Sequence, residues 1–249
     1  MTLRLYRYLQ GFILILTAIF LLQKIFSGNL DWYIHQRFMP LTVLSVIVLL
    51  VIGVIVFRSG RSVGHDEHHD HEHEHPHHEH HVSRWGLVMA LVPLLVGVLI
   101  PPKPLTSDAI TGKGFSSAPP VASGGSVVQF DQASDERNIL DWHRLFSSPD
   151  AQSAVLGQSA NVTGFVYHDP RLGEGQFLVS RFMVICCAAD GFPIGMVVNW
   201  PESASLPADQ WIKVKGVVQS TQFGDKTWPL IEATSVESIQ IPDQPYLFP

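Results

Sequence analysis

LTVLSVIVLLVIGVIVF, residues 41–57, carries no charged residue from end to end. A helix needs ~17 to 25 predominantly apolar residues to cross a bilayer, and this run meets the lower bound by itself. Two further apolar runs flank it, residues 11–26 and 85–100. With neighbours such as Tyr8, Leu9 and Pro40 counted, all three reach spanning length, and three transmembrane helices are expected at about 8–26, 40–57 and 85–100. Pro93 falls inside the third run, where adjacent helices can satisfy the carbonyl it frees. Arg4 and Arg7 give the first run the basic start of a signal peptide, but the LLQKIFSGN that follows lacks a small-residue cleavage pattern. It therefore reads as a retained helix.

Orientation follows from the basic residues. With the N-terminus inside, Arg4, Arg7, Arg58, Arg61 and Arg84 face the cytoplasm, while Lys24, Arg37 and Lys103 lie near the outer ends. The five-to-three bias agrees with the positive-inside tendency. Three crossings then put the loop between the second and third helices inside, and everything after residue 100 outside.

That inner loop, residues 65–81, reads HDEHHDHEHEHPHHEHH. Its ten histidines are His65, His68, His69, His71, His73, His75, His77, His78, His80 and His81, interleaved with six acids and Pro76. With no apolar residue it cannot bury a core. Imidazole is a good ligand for zinc, copper, nickel and iron, and its reference pKa of ~6.5 leaves it mostly neutral at pH 7. The irregular spacing offers many overlapping ligand sets instead of one fixed tetrahedron, which suits capture or buffering of a divalent metal, zinc foremost. A plain solvated linker and a pH sensor charging near pH 6 are the alternatives.

The whole chain has 249 residues, 46% hydrophobic and 15% charged. The charged share falls below the roughly 25% usual in soluble proteins because the first hundred positions are so apolar. Residues 101–126, with PPKP, SSAPP and ASGGS, read as a flexible tether. Residues 127–249 form the soluble domain. DERNILDWHRLFSS is one amphipathic helix with Ile139, Leu140, Trp142, Leu145 and Phe146 as its apolar contacts. Strand-like runs follow at 160–167, 176–185, 194–199, 211–219 and 228–239, separated by turn signals such as HDPRLGEG and QFGDK.

VTGFV at 162–166 and VKGVV at 214–218 echo each other. A glycine inside a strand marks a bulge or tight bend, which lets a short sheet curl. The expected fold class is thus membrane α plus soluble β, with three transmembrane helices followed by a small OB-like five-stranded β-barrel. A small sandwich is the alternative. Nucleic acid is not an expected partner: residues 127–249 hold fourteen acids against seven bases, a net of −7, whereas single-strand binding relies on a positive groove.

One constellation in the soluble domain looks chemical, RFMVICCAADGFP at 181–193. Side chains alternate faces along a strand, so Cys186 and Cys187 can share a ligand only if the strand breaks there. The AADGFP that follows is turn-like. A disulfide between them is strained, since adjacent Cα atoms lie ~3.8 Å apart, below the usual ~4.4 to 6.8 Å. Three readings stay open: a buried small hydrophobe beside an incidental neighbour, a soft-metal pair helped by Asp190 or His168, and a redox pair. No Ser-His-Asp set, phosphate loop or HExxH motif is present, so an enzyme is not expected.

The paired helices, the HDEHHDHEHEHPHHEHH loop, the third apolar run leading into LIPPKPL, and SRFMVICCAADGFPIG together resemble the YcgQ-type bacterial family of permease subunits, which carries a domain of unknown function. The resemblance covers nearly the full chain, and Cys-Cys-x-x-Asp after an Arg-containing strand is its most specific part. It singles out Arg181, Cys186, Cys187 and Asp190. It implies an accessory subunit in the bacterial cytoplasmic membrane, surrounded by lipid and partnered by a separate multi-spanning permease, with a link to metal handling. The leading expectation joins these: a histidine loop that concentrates zinc inside, and an outer domain that docks the partner or presents metal through Cys186, Cys187 and Asp190. A membrane-anchored extracytoplasmic thiol or redox module using Cys186 and Cys187 is the first alternative, and a non-catalytic interaction scaffold the second.

Overall fold

Long apolar runs without proline make helices, and the first two do so at full length. The computed structural model describes residues 3–62, 84–113, 115, 133–147, 149–224 and 226–249, so the histidine loop lies outside the described residues. Helix α1 covers Leu3–Phe26 and α2 covers Met39–Ser62, 24 residues each. At 1.5 Å per residue each is about 36 Å long, enough for the ~30 Å hydrocarbon core. Both are long and apolar enough to cross a membrane, over Arg4–Phe26 and Gln36–Gly60.

They pack against each other through glycine. A Cβ at Gly11 would lie 2.9 Å from the Gly53 carbonyl oxygen and 2.8 Å from the Phe57 nitrogen, and one at Gly53 would meet Ile15. Small residues let helix backbones approach this closely, the usual device where no hydrophobic drive separates helix from lipid.

The third expected span is corrected. Helix α3 covers Arg84–Leu99, only 16 residues, with Pro93 inside it. Its length of about 24 Å falls short of the hydrocarbon core. The reason is Pro101, followed by Pro102, because the residue before a proline is barred from helical conformation. α3 lies parallel to α1: Gly86 faces Tyr6 and Gly97 faces Phe20.

The chain divides into two compact units, Met1–Asp31 with Gln36–Lys103, and Trp32–His35 with Pro104–Pro249. The boundary corrects the expected tether at 101–126 in its first part. Helix α4, Ser107–Lys113, belongs to the second unit. The Ser107 amide and hydroxyl donate to the Asp209 carboxylate at 2.7 and 2.8 Å. Ile110 is buried with Phe165, Phe182, Trp211 and Tyr246, and Leu105 and Phe115 pack against the same group. The prolines and serines of this stretch read as a tether, but its apolar residues are enough to dock it.

Helix α5, Ile139–Phe146, starts at an Asn138 capping box closed by Asp141. All five expected contact residues are buried. After α6, Pro149–Val155, come the strands: β1 Ser159–Tyr167, β2 Gln176–Met183, β3 Phe192–Asn199, β4 Trp211–Phe223, β5 Lys226–Ser238 and β6 Tyr246–Leu247. They form one mixed six-stranded sheet in the order β1-β4-β5-β3-β2-β6, with β1 also pairing β2. β3–β5 and β2–β6 run parallel, the other pairs antiparallel. This mixed six-stranded sheet corrects the expected closed five-stranded barrel, and its extra strand arises because residues 246–247 add β6 beside β2.

Both strand glycines sit at irregularities, as the sequence implies. At Gly216 the β4–β5 register shifts, and an added Cβ would overlap the Glu232 carbonyl. At Gly164 β1 leaves β4 for β2, and a Cβ there would lie 2.6 Å from the Ser180 oxygen. The core beneath the sheet joins α5 and α6 to Val162, Phe177, Met196, Ile212 and Ile231.

Candidate functional site

β2 ends at Met183, and the chain turns before the cysteines. One anion shapes that turn. The Asp190 carboxylate accepts the amide hydrogens of Ile185 at 2.9 Å, Cys186 at 2.7 Å and Cys187 at 3.0 Å. Three successive amides pointing at one carboxylate cannot belong to an extended strand, so the strand breaks where the shared-ligand reading requires it. The short 3₁₀ turn Ala188–Asp190 brings the carboxylate back, and Gly191 closes it with its amide donating to Ala188. A side chain at 191 would strike Leu105.

The break leaves the two thiols side by side, with Sγ–Sγ 3.7 Å. Cys186 is exposed and Cys187 half-buried, and both are free thiols. Among the described residues, Cys186, Cys187 and Asp190 bring one ligand atom each to within 4.8 Å of one another. The Cys186 thiol is pushed up to about 12, first by its hydrogen bond to Asp190 and then by Cys187 beside it. Burial opposes ionisation of Asp190, but hydrogen bonds from the Cys186 thiol and the three amides outweigh it and hold the carboxyl below its usual range.

The other expected residues fall elsewhere. His168 hydrogen-bonds the Leu206 carbonyl at 2.9 Å and is outside the three-residue cluster. The ten histidines of 65–81 lie outside the described residues. Arg181, on β2, turns its guanidinium to the carbonyls of Gln244, Pro245 and Tyr246 (3.1 Å to Pro245, 3.4 Å to Tyr246). Burial lowers its pKa to about 10, which leaves it charged at neutral pH. Its place in the motif is architectural, fixing the strand β6 that carries Tyr246.

Two segments at the site were not foreseen. Trp32–His35, from the connection between α1 and α2, lies on the cysteine turn. The His35 amide donates to the Cys186 carbonyl at 3.0 Å, the Ala188 amide donates to the Tyr33 carbonyl at 2.8 Å, and Ile34 forms an antiparallel bridge with Cys187. The Tyr246 hydroxyl then donates to the Trp32 carbonyl at 3.0 Å and accepts the Leu105 amide at 2.9 Å. The available signal was DWYIH at 31–35, more aromatic and apolar than a solvent turn between two helices requires.

Comparison with known proteins agrees with this layout. The DUF1980 N-terminal domain matches residues 9–116 and the DUF1980 C-terminal domain residues 149–249. The UPF0703 protein YcgQ of Bacillus subtilis is 28% identical over 264 residues, covering 89% of this chain and 92% of that protein. A Streptococcus mutans protein, named as a proposed subunit of a two-component membrane permease complex, is 21% identical over 261 residues with the same coverage of both chains, 89% and 92%. Among solved structures, a small single-stranded DNA-binding protein of Streptomyces coelicolor is 15% identical over 33% of this chain and 93% of its own, at a TM-score of 0.24, too slight a likeness to equate the folds.

Proposed function

We propose that this chain, which belongs to the DUF1980 family through both of its domains, is the accessory subunit of a two-component membrane permease and presents a divalent metal to it. The permease role is supported by the full-length likeness to the Streptococcus mutans protein. The metal role is carried by one observation, the 3.7 Å between the Cys186 and Cys187 sulfurs. Zinc binds thiolate at about 2.3 Å, and two ligands at the tetrahedral angle are then about 3.8 Å apart. The turn thus holds two ligands at the edge length of a zinc tetrahedron, with the remaining positions open to solvent or to a partner's groups. Asp190 serves this site as a positioning residue, since its oxygens already hold three amides.

The cysteine turn stands at the end of β2, in the mixed six-stranded sheet. We place the N-terminus and the histidine loop in the cytoplasm and the C-terminal domain outside the cytoplasmic membrane. The docking of Trp32–His35, which joins α1 to α2, on the cysteine turn of the C-terminal domain supports this placement. The inner histidines would concentrate the metal, and the outer thiols would present it.

Zinc titration by calorimetry tests the metal half, comparing the full chain with a deletion of 65–81 and with Cys186→Ser/Cys187→Ser. The deletion should remove several weak sites and the double substitution one tight site. If neither changes binding, the metal role fails and a scaffold becomes the reading. Gentle detergent extraction tests the other half: a multi-spanning permease should copurify, and its repeated absence defeats the subunit role.

A further inference from the structure

The residues that bring the thiols together also hold the connection between the two long apolar helices. Cys186 lends its carbonyl to His35, Cys187 is itself the bridge partner of Ile34, and Ala188 donates to Tyr33. The backbone of one three-residue stretch therefore pairs with Tyr33, Ile34 and His35, while its side chains carry both sulfurs. Asp190 holds the same turn from the other side, through the amides of Ile185, Cys186 and Cys187.

We propose that occupancy of the thiol pair by a divalent thiophilic cation latches Trp32–His35, the segment that joins α1 to α2, onto the cysteine turn. The inference rests on the metal reading of Cys186 and Cys187. A cation held by both sulfurs ties the side chains of adjacent residues into one chelate ring and removes their rotational freedom. The sulfurs already stand at the tetrahedral edge length, so binding requires no rearrangement of the turn. Its effect is to stiffen the stretch. The peptide groups of Cys186, Cys187 and Ala188 then open less often, and the Tyr33, Ile34 and His35 contacts made to them open less often too. That connection is the only covalent path between Phe26, where α1 ends, and Met39, where α2 begins.

Hydrogen exchange on the full chain in detergent reads this directly. Zinc chloride should slow exchange of the His35 and Ala188 amides by about tenfold, equivalent to ~1.4 kcal/mol of added local stability. In Cys186→Ser/Cys187→Ser the same zinc should leave those amides unchanged. Cys186→Ala/Cys187→Ala is the second control, and the variant that keeps the metal-free exchange pattern of the parent serves for the comparison. If calorimetry finds the tight site at the cysteines but these amides do not slow, the latch is overturned and the metal site stands. If the double variants lose no tight site, the metal reading falls and the latch with it. If zinc slows the two amides equally with and without the thiols, the effect belongs to other ligands and the latch is wrong.

Discussion

The end of β2 and the turn that follows it use charge in mirror-image ways. At Arg181 a cation gathers three carbonyls from the last residues of the chain, Gln244, Pro245 and Tyr246. At Asp190 an anion gathers three amides from its own turn, Ile185, Cys186 and Cys187. Both side chains are engaged by backbone, and the Asp190 carboxylate also stands within 4.8 Å of both sulfurs. The outcomes differ in what stands beside them. Around Arg181 the neighbours are core, with its guanidinium 5.8 Å from the Trp211 ring centroid. Around Asp190 the neighbours are two thiols. A motif of four singled-out residues thus resolves into two that build and two that are available.

The comparison predicts unequal costs. Arg181→Ala removes a buried cation, its stem and the donors for three carbonyls, and should cost about 3 kcal/mol of domain stability. Asp190→Ala exposes its three amides in a turn that water already reaches, so about 2 kcal/mol is expected. Chemical denaturation of the two variants side by side checks this. A larger loss at Asp190 than at Arg181 would invert the assignment of roles. The second difference is qualitative: Arg181→Ala should leave the reactivity of the two thiols toward a maleimide unchanged in the native state, whereas Asp190→Ala should raise it at Cys186, where an acceptor that holds the proton is gone.

How far the sequence discloses this can be argued residue by residue. The strand runs and both strand glycines were legible because alternation and glycine each have one dominant structural use, and VTGFV and VKGVV lie where the ladders shift or change partner. The helix expected over 135–148 was legible from its apolar spacing, but it runs only over 139–146, because Asn138 caps it and Ser134–Glu136 forms a separate 3₁₀ turn. The third span was overread because its apolar run, 85–100, is itself one residue short of the ~17 needed, and Pro101 blocks extension beyond it. Of the site, the cysteine pair and Asp190 could be picked out, but not the three amides that Asp190 gathers, because backbone contacts within a turn leave no side-chain pattern. His168 was unreachable by such reasoning, as its carbonyl partner lies on a distant loop. The docking of Trp32–His35 was hidden because backbone pairing leaves no side-chain pattern to read.

Tyr246 sharpens the comparison one step further. Arg181 positions the strand, and Tyr246 on that strand ties Trp32 to Leu105 through one hydroxyl. Tyr246→Phe keeps the ring in place and removes only that hydroxyl. The cost should be about 1.5 kcal/mol, with faster hydrogen exchange confined to the Leu105 amide and the 32–35 segment. A change spread over the whole domain would mean that Tyr246 acts through packing, and that Arg181 does no more than hold a core aromatic.

The smallest effect tests why Arg181 and Asp190 keep their charges at all. Each is surrounded by three backbone dipoles of the right sign, and Arg181 stays charged at neutral pH although burial lowers its pKa to about 10. His143, on α5, is fully buried with one such dipole, the Gly195 carbonyl at 2.5 Å, and the edge of Trp228. Burial lowers its pKa from the usual 6.5, and the single carbonyl only partly opposes that. The folded domain therefore keeps His143 neutral, while the unfolded chain takes up a proton near pH 6.5. The unfolded state binds more protons as pH falls, so stability is present above that pH and is lost below it. Between pH 6.5 and 5.5 the loss should be about 1 kcal/mol, well above the range in which Asp169 and Asp190, both held low, begin to protonate. His143→Phe should flatten the slope across that interval in urea denaturation. If the slope survives the substitution, the proton goes elsewhere, and one carbonyl is enough to hold a buried imidazolium where three were taken to be needed.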